Sequence, residues 1–486
     1  MSETMQPGQD TKATADQPSI AVALSGGGNR AALLTIGGLL ALADRGLHRQ
    51  TAVMSSVSGG SITNAVVAKE IDYKRATSEE VHRAATQVIR GVGRSVLSPP
   101  IVLAGFALLL AATNVLLSLV TDLGWGWHVG ASVAELLVLL LTTGTILAWS
   151  IQHVFLGGRK GRRTIKEVNN GEGGLTHEFC TTDLVSGLPL TITTVYDGMA
   201  RRRVPMRADA RGVAAANWWA DKRRLNVVVR TSAAFPGVAP KLMRFKGAPV
   251  QGANRLDGIN LAADDHAGLR GLAVCSDGGV WNNLATQAMR EEGDDTSGSL
   301  PIVCINASAP GKQGSPVLYL IPGVASIMAV ARTMIILNRN TVEPRVASVQ
   351  RDLLSRAEAL RLPEKGDPLT VVSDMRSIAS ALDAARSMAR PGHDRVAHPF
   401  GRATISTEEL DDLRSVPWFQ ALEAMDDPRT DITVGTKLTK VVGAEARALL
   451  VRGYANTWIA SLWVQPFRDD DRADTGIARR IRDWTT

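Results

Sequence analysis

Short apolar runs alternate with helical patterns along the amino-terminal part of the chain. The run Ser19–Leu24 is followed by three glycines, after which Asn29–Ala43 places leucine and isoleucine at helical spacing. A second short run, Ala52–Met54, leads into a turn rich in serine and glycine and then into a helical stretch to about Lys69. This pattern predicts a strand, a tight turn and a buried helix, twice in succession.

Two capping boxes and one long periodic segment predict further helices. The boxes Thr77-x-x-Glu80 and Ser406-x-x-Glu409 each pair a threonine or serine with a glutamate three positions later, which is typical of a helix start. An amphipathic helix is predicted near 443–462.

Four apolar runs in the rest of the chain predict strands. Strands that alternate with helical patterns favour a mainly parallel sheet covered by helices, so the predicted fold class is α/β. The runs are Leu190–Tyr196, Val227–Val229, Leu272–Val274 and Pro301–Ile305.

Two long apolar segments interrupt this pattern. Ile101–Val120 contains no charged residue and is long enough to cross the hydrocarbon core of a bilayer. The second segment, Val129–Phe155, carries one carboxylate, Glu135, near its start. Trp125 and Trp127 lie between the segments, where aromatic anchors are expected. The pattern predicts a two-helix transmembrane hairpin.

The charges that flank these segments predict their orientation. The connecting loop contains no lysine or arginine, whereas basic residues precede the first segment and follow the second. By the positive-inside rule, both termini lie in the cytoplasm, as in an integral protein of a bacterial inner membrane with two spans. A pair of helices buried in a soluble core and a lid lying on the membrane remain alternatives. The flanking basic residues are Arg83, Arg90, Arg94, Arg159, Lys160, Arg162, Arg163 and Lys166.

These patterns divide the chain into five parts. Residues 1–18 are polar, lack the apolar core of a signal peptide and are predicted to form a disordered tail. Residues 19–98 and 157–320 are two parts of one α/β domain, separated by the predicted transmembrane hairpin at 99–156. A mostly helical part, 321–486, is predicted to pack on that domain.

Composition narrows the class of partner. The 486 residues are 45% hydrophobic and 21% charged, and the net charge is +7. A basic balance suits nucleic acid or an anionic membrane surface, but no nucleic-acid motif accompanies it, so nucleic acid is not expected. The basic clusters 201–203 and 222–224 are interpreted as a solvated face or as contacts with anionic headgroups.

Cys180, Cys275 and Cys304 are interpreted as unpaired buried thiols, and no metal-binding spacing is present.

The turn after the second predicted strand suits a nucleophile. A nucleophile elbow holds a serine at a sharp strand-to-helix turn, with small residues two positions before and after it. The sequence 56-SVSGG-60 has this form, with Ser56 in place of the usual first glycine and Gly59 and Gly60 after the central serine. Ser58 is therefore the candidate nucleophile. An ordinary turn of small residues has the same pattern.

Two more glycine turns follow predicted strands. In 24-LSGGGNRA-31, three glycines before a helix can turn backbone N–H groups toward an anion, and Arg30 could orient the turn or attract a phosphate. A flexible turn is the alternative, and so is a nucleotide-binding loop, although GxxxxGK[ST] is missing. In 275-CSDGGVWNN-283, Asp277 lies at a strand end, where it can serve as a base or belong to an ordinary Asp-Gly turn.

Together these motifs resemble the patatin-like phospholipase family. The matches are GGGxR at Gly26–Arg30, SxSGG around Ser58 and DGG at Asp277, and 229-VRTSAAFPGVAP-240 looks like another stretch of that family. The resemblance covers about 20–69 and 176–306. It implies a patatin-like three-layer α/β fold with a mainly parallel sheet, interrupted here by the transmembrane hairpin and followed by a helical C-terminal region.

The resemblance also implies a serine acyl hydrolase of membrane lipids that needs no cofactor. Ser58 and Asp277 would form a catalytic dyad, and the turn of Gly26, Gly27, Gly28 and Arg30 would form the oxyanion hole. A Ser-His-Asp triad using His393 or His398 is an alternative reading. A non-catalytic lipid-binding membrane scaffold that keeps the fold is the alternative function. The oligomeric state is not predicted.

Overall fold

One mixed β-sheet organises the described part of the chain. The structure, a computed structural model, describes residues 19–94, 112–116, 118, 129–131, 144–158, 162–168, 174–184, 188–197, 202–208, 223–234, 241–244, 272–280, 282–286, 300–308, 346–355, 369–392, 401–430 and 440–486. The strands are β1 (Ile20–Leu24), β2 (Thr51–Ser56), β3 (Thr176–Asp183), β4 (Leu188–Asp197), β5 (Arg202–Ala208), β6 (Lys241–Arg244), β7 (Leu272–Asp277), β8 (Ile302–Ile305) and β9 (Thr370–Ser373).

Nine α-helices of the described residues pack with this sheet and with one another. They are α1 (Gly28–Asp44), α2 (Ser58–Glu70), α3 (Ser78–Arg94), α4 (Leu225–Ser232), α5 (Ile378–Met388), α6 (Thr407–Ser415), α7 (Pro417–Met425), α8 (Gly443–Ser461) and α9 (Ile477–Thr485). Both predicted capping boxes are confirmed, since the Thr77 and Ser406 amides donate to Glu80 and Glu409 at 2.8 and 2.9 Å.

The strand order is β5-β4-β3-β2-β1-β8-β9, with β7 joined to β3 and β6 joined to β7. The pairs β1–β2, β1–β8, β2–β3 and β8–β9 are parallel, and the other four are antiparallel. The α/β class is confirmed. The prediction of a mainly parallel sheet is wrong, because the pairs that involve β4, β5, β6 and β7 are antiparallel. Only residues 184–187 separate β3 from β4, too few for the crossover that parallel strands require.

One predicted strand is a helix. Val227–Val229 lies in α4, where Val228 and Val229 are buried and Val227 is half-exposed. A three-residue apolar run does not distinguish a strand from a short buried helix. The strands predicted from the other apolar runs are confirmed as β1, β2, β4, β7 and β8.

Helix α1 is the centre of the core. All of its residues except Asp44 are buried, because α8, α3 and α2 pack against it and β8 also contacts it. The backbones of the two helices touch, since a Cβ on Gly37 would lie 2.7 Å from the Leu450 carbonyl oxygen. A helix near 443–462 is thus confirmed as α8, which packs directly on the helix that follows the glycine turn. The prediction that it is amphipathic is wrong, because all residues from 448 to 461 are buried.

The predicted transmembrane hairpin is not supported. Among the described residues, no helix is long and apolar enough to cross a membrane. This contradicts the prediction of an integral membrane protein with two spans. The end of the second apolar segment instead packs on protein, because Leu147, Ile151 and Phe155 are buried in the main core. Most of the first segment, and residues 132–143 of the second, lie outside the described residues.

Several other sequence assignments also fall outside the described residues. They are the tail 1–18, Trp125, Trp127, Arg201, Lys222, His393 and His398. Of the three cysteines, Cys275 and Cys304 are buried and Cys180 is partly exposed, and all three are free thiols.

Candidate active site

The two glycine- and serine-rich turns lie side by side at the carboxyl ends of β1 and β2. These strands are parallel neighbours, and the last residue of each, Leu24 and Ser56, are partners in the register. Parallel strands bring the turns that follow them to the same edge of a sheet. The start of α1 therefore lies next to the start of α2.

Ser58 is the first residue of α2 and has a strained backbone. Its φ is +49°, a conformation that residues with side chains rarely adopt. Its amide donates to Ser232 Oγ at 3.2 Å, and the residue is 6% exposed. Backbone strain of this kind persists where the surroundings hold it, and it is common at functional sites.

The glycine after Ser58 allows α2 to touch the glycine turn. A Cβ on Gly59 would overlap the Gly28 carbonyl oxygen and would lie 2.7 Å from the Gly28 nitrogen. Gly60 is equally close to β1, since a Cβ there would lie 2.5 Å from the Leu24 carbonyl oxygen. Side chains at these two positions would separate the two turns.

Asp277 reaches the same place from the opposite direction. Strand β4 occupies one edge of β3 over 178–183, so β2 and β7 share the other edge, where they pair with 176–179 and 181–183. The two strands thus approach each other end to end. The turn after Asp277 confirms this placement, because a Cβ on Gly278 would lie 3.2 Å from the Val57 side chain.

Asp277 is buried and accepts hydrogen bonds. Burial raises the pKa of this carboxyl group to about 6, although the Gly279 amide and the Ser58 hydroxyl both hydrogen-bond to it and lower the pKa. The Gly279 nitrogen lies 2.7 Å from Asp277 Oδ1. The structure therefore brings the candidate hydroxyl and the candidate carboxylate together. Their catalytic roles stay predictions.

The glycine turn has a backbone that only glycine adopts easily. Gly27 and Gly28 have φ values of +145° and +62°, and Gly28 is the first residue of α1. The first N–H groups of a helix have no partner within it, so they are donors for an anion. The N–H of Gly26, by contrast, already has a partner within the protein, because it donates to the Asn283 carbonyl oxygen at 3.0 Å.

Arg30 holds the glycine turn from inside the protein. It is 4% exposed, and its Nε donates to the Ala307 carbonyl oxygen at 3.0 Å. Burial lowers the pKa of Arg30 to about 10, and the charge of Glu445 on α8 opposes that shift. The predicted part of Arg30 in orienting the turn therefore has a physical basis in these contacts.

Ser56, at the position where a nucleophile elbow usually has glycine, fits because its hydroxyl makes hydrogen bonds both as donor and as acceptor. It donates to the Glu178 carbonyl oxygen at 2.8 Å and accepts from Asn64 Nδ2 at 2.8 Å. Ser61 links this group to α4, with its hydroxyl 3.1 Å from Ser56 Oγ and 2.8 Å from Ser232 Oγ. The substitution thus adds polar contacts under the elbow.

Sequence reasoning missed two residues of this site, Ser232 and Asn283. Ser232 accepts the Ser58 amide, and its hydroxyl donates to the Cys180 carbonyl oxygen at 2.6 Å. Asn283 joins three loops, because its carbonyl oxygen binds Gly26 and its side-chain amide donates to Ser308 Oγ at 2.7 Å. Ser232 lies in the sequence motif 229–240 and Asn283 in the motif 275–283, and these motifs are the only sequence signal for either residue.

This arrangement has chemical groups of the kinds that acyl transfer uses. A hydroxyl on a strained turn lies beside a buried carboxylate, and the start of α1 lies against the start of α2. A nucleophile, a base and oxyanion donors are what ester hydrolysis requires.

Comparisons with known proteins give similarity at the level of structure only. No family model and no curated protein sequence matches the chain. It is similar to human GIVD cytosolic phospholipase A2, with a TM-score of 0.45 and 12% identity over 96% of this chain and 60% of that chain. The same enzyme in complex with methyl gamma-linolenyl fluorophosphonate gives 0.42 and 13%, over 96% and 59%. VipD from Legionella pneumophila gives 0.30 and 13%, over 96% and 74%. The chain spans about 60% of the length of the phospholipase structures.

Proposed function

We propose that this protein is a serine hydrolase that cleaves fatty acyl esters of lipids, with Ser58 as the nucleophile and Asp277 as its base. The observation that carries the proposal is the strained Ser58 backbone, at +49°, beside a buried carboxylate that accepts the Ser58 hydroxyl. The assignment of a lipid ester as the substrate comes from the sequence motifs that resemble the patatin-like phospholipase family.

The raised pKa of Asp277 suits a base that works at neutral pH. With a pKa of about 6, roughly 90% of this carboxyl group is ionised at pH 7. It accepts the hydroxyl proton while Ser58 Oγ attacks the ester carbonyl. When the bond to the leaving alcohol breaks, Asp277 returns that proton to the alkoxide, and an acyl-serine ester remains.

Backbone N–H groups stabilise the negative charge on the carbonyl oxygen. The donors are those of Gly27, Gly28 and the start of α1, held by the left-handed conformations of the two glycines. Water then attacks the acyl-serine with Asp277 again as the base. The products are the fatty acid and free Ser58.

A fluorophosphonate probe tests the proposal directly. We expect it to label wild-type protein at Ser58, identified by mass spectrometry of peptides, and to leave Ser58→Ala unlabelled. Ser55→Ala is the matched control, because Ser55 lies on β2 with its hydroxyl 3.2 Å from Cys180 Sγ. Hydrolysis of p-nitrophenyl butyrate and of phospholipid in detergent micelles should fall at least about a thousandfold in Ser58→Ala. Folded wild-type protein that neither reacts with the probe nor cleaves an ester would reject the proposal and favour a lipid-binding scaffold.

A further inference from the structure

The side-chain amide of Asn283 lies inside the candidate site. A Cβ on Gly26 would overlap Asn283 Oδ1 and would lie 3.2 Å from Ser58 Cβ. A Cβ on Gly279 would lie 2.7 Å from the same oxygen and 3.0 Å from Asp277 Oδ1. Glycines of two separate motifs therefore leave the space that this oxygen occupies, and the oxygen lies near both the candidate nucleophile and the candidate base.

The side-chain oxygen of Asn283 accepts no hydrogen bond from the described residues. The other end of the amide is held, because Asn283 Nδ2 donates to Ser308 Oγ at 2.7 Å. The residue is only 6% exposed. A nearly buried acceptor without a donor is costly, so a hydroxyl group or a water molecule is expected to bind to this oxygen.

One water molecule can span the distance from this oxygen to the candidate base. The two Cβ positions place Asn283 Oδ1 no more than roughly 6 Å from Ser58 Cβ and from Asp277 Oδ1, about twice the length of a hydrogen bond. A water molecule between Asn283 and Asp277 can thus donate one hydrogen to each of the two oxygens. Its lone pairs then remain free to attack an acyl group on Ser58.

We propose that Asn283 positions the water molecule that hydrolyses the acyl-serine. This inference rests on the proposed function and assigns a further residue to its second step. One hydrogen of the water passes to Asp277 while the water oxygen attacks the acyl carbon, and Asn283 Oδ1 holds the other hydrogen. When the bond between the acyl carbon and Ser58 Oγ breaks, Asp277 returns its proton to Ser58. The second hydrogen leaves with the fatty acid.

The first step of the reaction does not use this oxygen. The Ser58 hydroxyl has one hydrogen, which Asp277 accepts, so no second hydrogen remains for Asn283. An alcohol that replaces water as the acceptor of the acyl group likewise has only one hydroxyl hydrogen. Loss of the Asn283 amide should therefore slow hydrolysis of the acyl-serine and leave acylation and transfer to an alcohol largely unchanged.

The partition of the acyl group between water and methanol tests this inference. Wild-type protein and Asn283→Leu are given p-nitrophenyl butyrate in dilute methanol, and butyrate and methyl butyrate are measured in the same reaction. In Asn283→Leu the ratio of butyrate to methyl butyrate should fall about tenfold, the effect of one lost hydrogen bond. The initial burst of p-nitrophenol should persist, and the butyryl-enzyme should accumulate in mass spectra of the intact protein.

Ser308→Ala is the matched control, because it removes the bond to Asn283 Nδ2 and keeps the amide oxygen. Its ratio of the two products should equal that of the wild type. An equal fall of the ratio in Ser308→Ala, or an unchanged ratio in Asn283→Leu, overturns the inference. A parallel loss of acylation and of both products in Asn283→Leu would assign Asn283 to the shape of the whole site and also overturns it.

Asn283→Asp gives a second test with a side chain of the same size. This variant keeps an acceptor oxygen, so its product ratio should stay close to that of the wild type. Its negative charge near Asp277 should raise the pH midpoint of kcat/KM, because a like charge disfavours ionisation of the base. An unchanged midpoint would show that residue 283 does not lie near the base, and it overturns the inference even if Asn283→Leu does not fold. Failure of wild-type protein to cleave p-nitrophenyl butyrate instead contradicts the proposed function, on which the inference rests.

Discussion

Gly59 and Gly28 are in direct backbone contact, although they belong to different strand-turn-helix units. A Cβ on Gly59 would overlap the Gly28 carbonyl oxygen, and the neighbouring backbone atoms offer no flexible side chain that could move away. The start of α2 is therefore fixed against the start of α1. This contact sets the distance between Ser58 and the N–H groups of the glycine turn.

We expect Gly59→Ala to be strongly destabilising and inactive. Overpacking at a tight site costs about 1–3 kcal/mol, and here only backbone can yield. Urea-induced unfolding measures the change in stability, and p-nitrophenyl butyrate hydrolysis measures the change in activity. The matched control is Gly93→Ala in α3, where the nearest atom lies 3.9 Å from the new Cβ and a small gain in helix stability is expected. Wild-type stability and activity in Gly59→Ala would contradict the close contact.

The sequence predicted the turns but not the way in which they meet. Strand, turn and helix around Ser58 follow from apolar spacing and small residues, and the structure confirms them. The antiparallel approach of β7 does not follow, because apolar runs carry no information about strand direction. The DGG motif identifies Asp277, whereas its contact with Ser58 depends on β2 and β7 sharing one edge of β3.

The roles of Ser232 and Asn283 do not follow from the sequence, because their contacts also depend on how distant segments pack together. Ser232 lies 174 residues from Ser58, whose amide donates to it. The run Val227–Val229 just before Ser232 predicts a strand. The run is in fact α4, and Ser232 is the last residue of this helix. Asn283 followed a recognised turn, but its bonds to Gly26 and Ser308 appear only when three loops are assembled.

The raised pKa of Asp277 makes both activity and stability depend on pH. Because the base must be ionised, kcat/KM should rise as the pH increases from about 5 to 7, with a midpoint near 6. Since the folded pKa of about 6 exceeds the ordinary value of 3.8, the folded protein holds its proton more tightly than the unfolded chain does. Stability from this group is therefore complete below pH 3.8 and is lost as the pH rises through 6.

The stability part of this prediction is checked with Asp277→Asn. The amide carries no charge to bury, so the variant should gain up to about 3 kcal/mol over the wild type at pH 8 and much less at pH 4.5. Chemical denaturation at the two pH values measures both differences, and activity should be lost at either pH. A variant that is equally destabilised at both pH values would show that burying the ionised Asp277 carboxylate does not lower the stability of the wild type.

Replacing Ser232 tests whether the elbow needs its side-chain support. Ser232→Ala removes the acceptor of the Ser58 amide and leaves that N–H and the Cys180 carbonyl oxygen without their partner. We expect kcat to fall about tenfold with KM nearly unchanged, because the nucleophile is misplaced while the substrate contacts remain. The rate of fluorophosphonate labelling should fall in parallel, and Ser232→Thr should restore part of both. A change in KM alone would assign Ser232 to substrate binding.

Replacing Arg30 tests whether this residue supports the glycine turn or instead contacts the headgroup of a lipid. Arg30→Met keeps much of the volume but leaves the buried Ala307 carbonyl oxygen without its donor and removes the charge that faces Glu445. An unsatisfied buried acceptor costs about 1–3 kcal/mol, so the free energy of unfolding should fall by that amount. Because the damage is to the turn itself, hydrolysis of p-nitrophenyl butyrate should fall as much as hydrolysis of phosphatidylglycerol. Arg30→Lys keeps the charge but not the planar donor, and we expect it to be intermediate in both assays. A loss confined to the phospholipid, with stability unchanged, would instead assign Arg30 to the phosphate group.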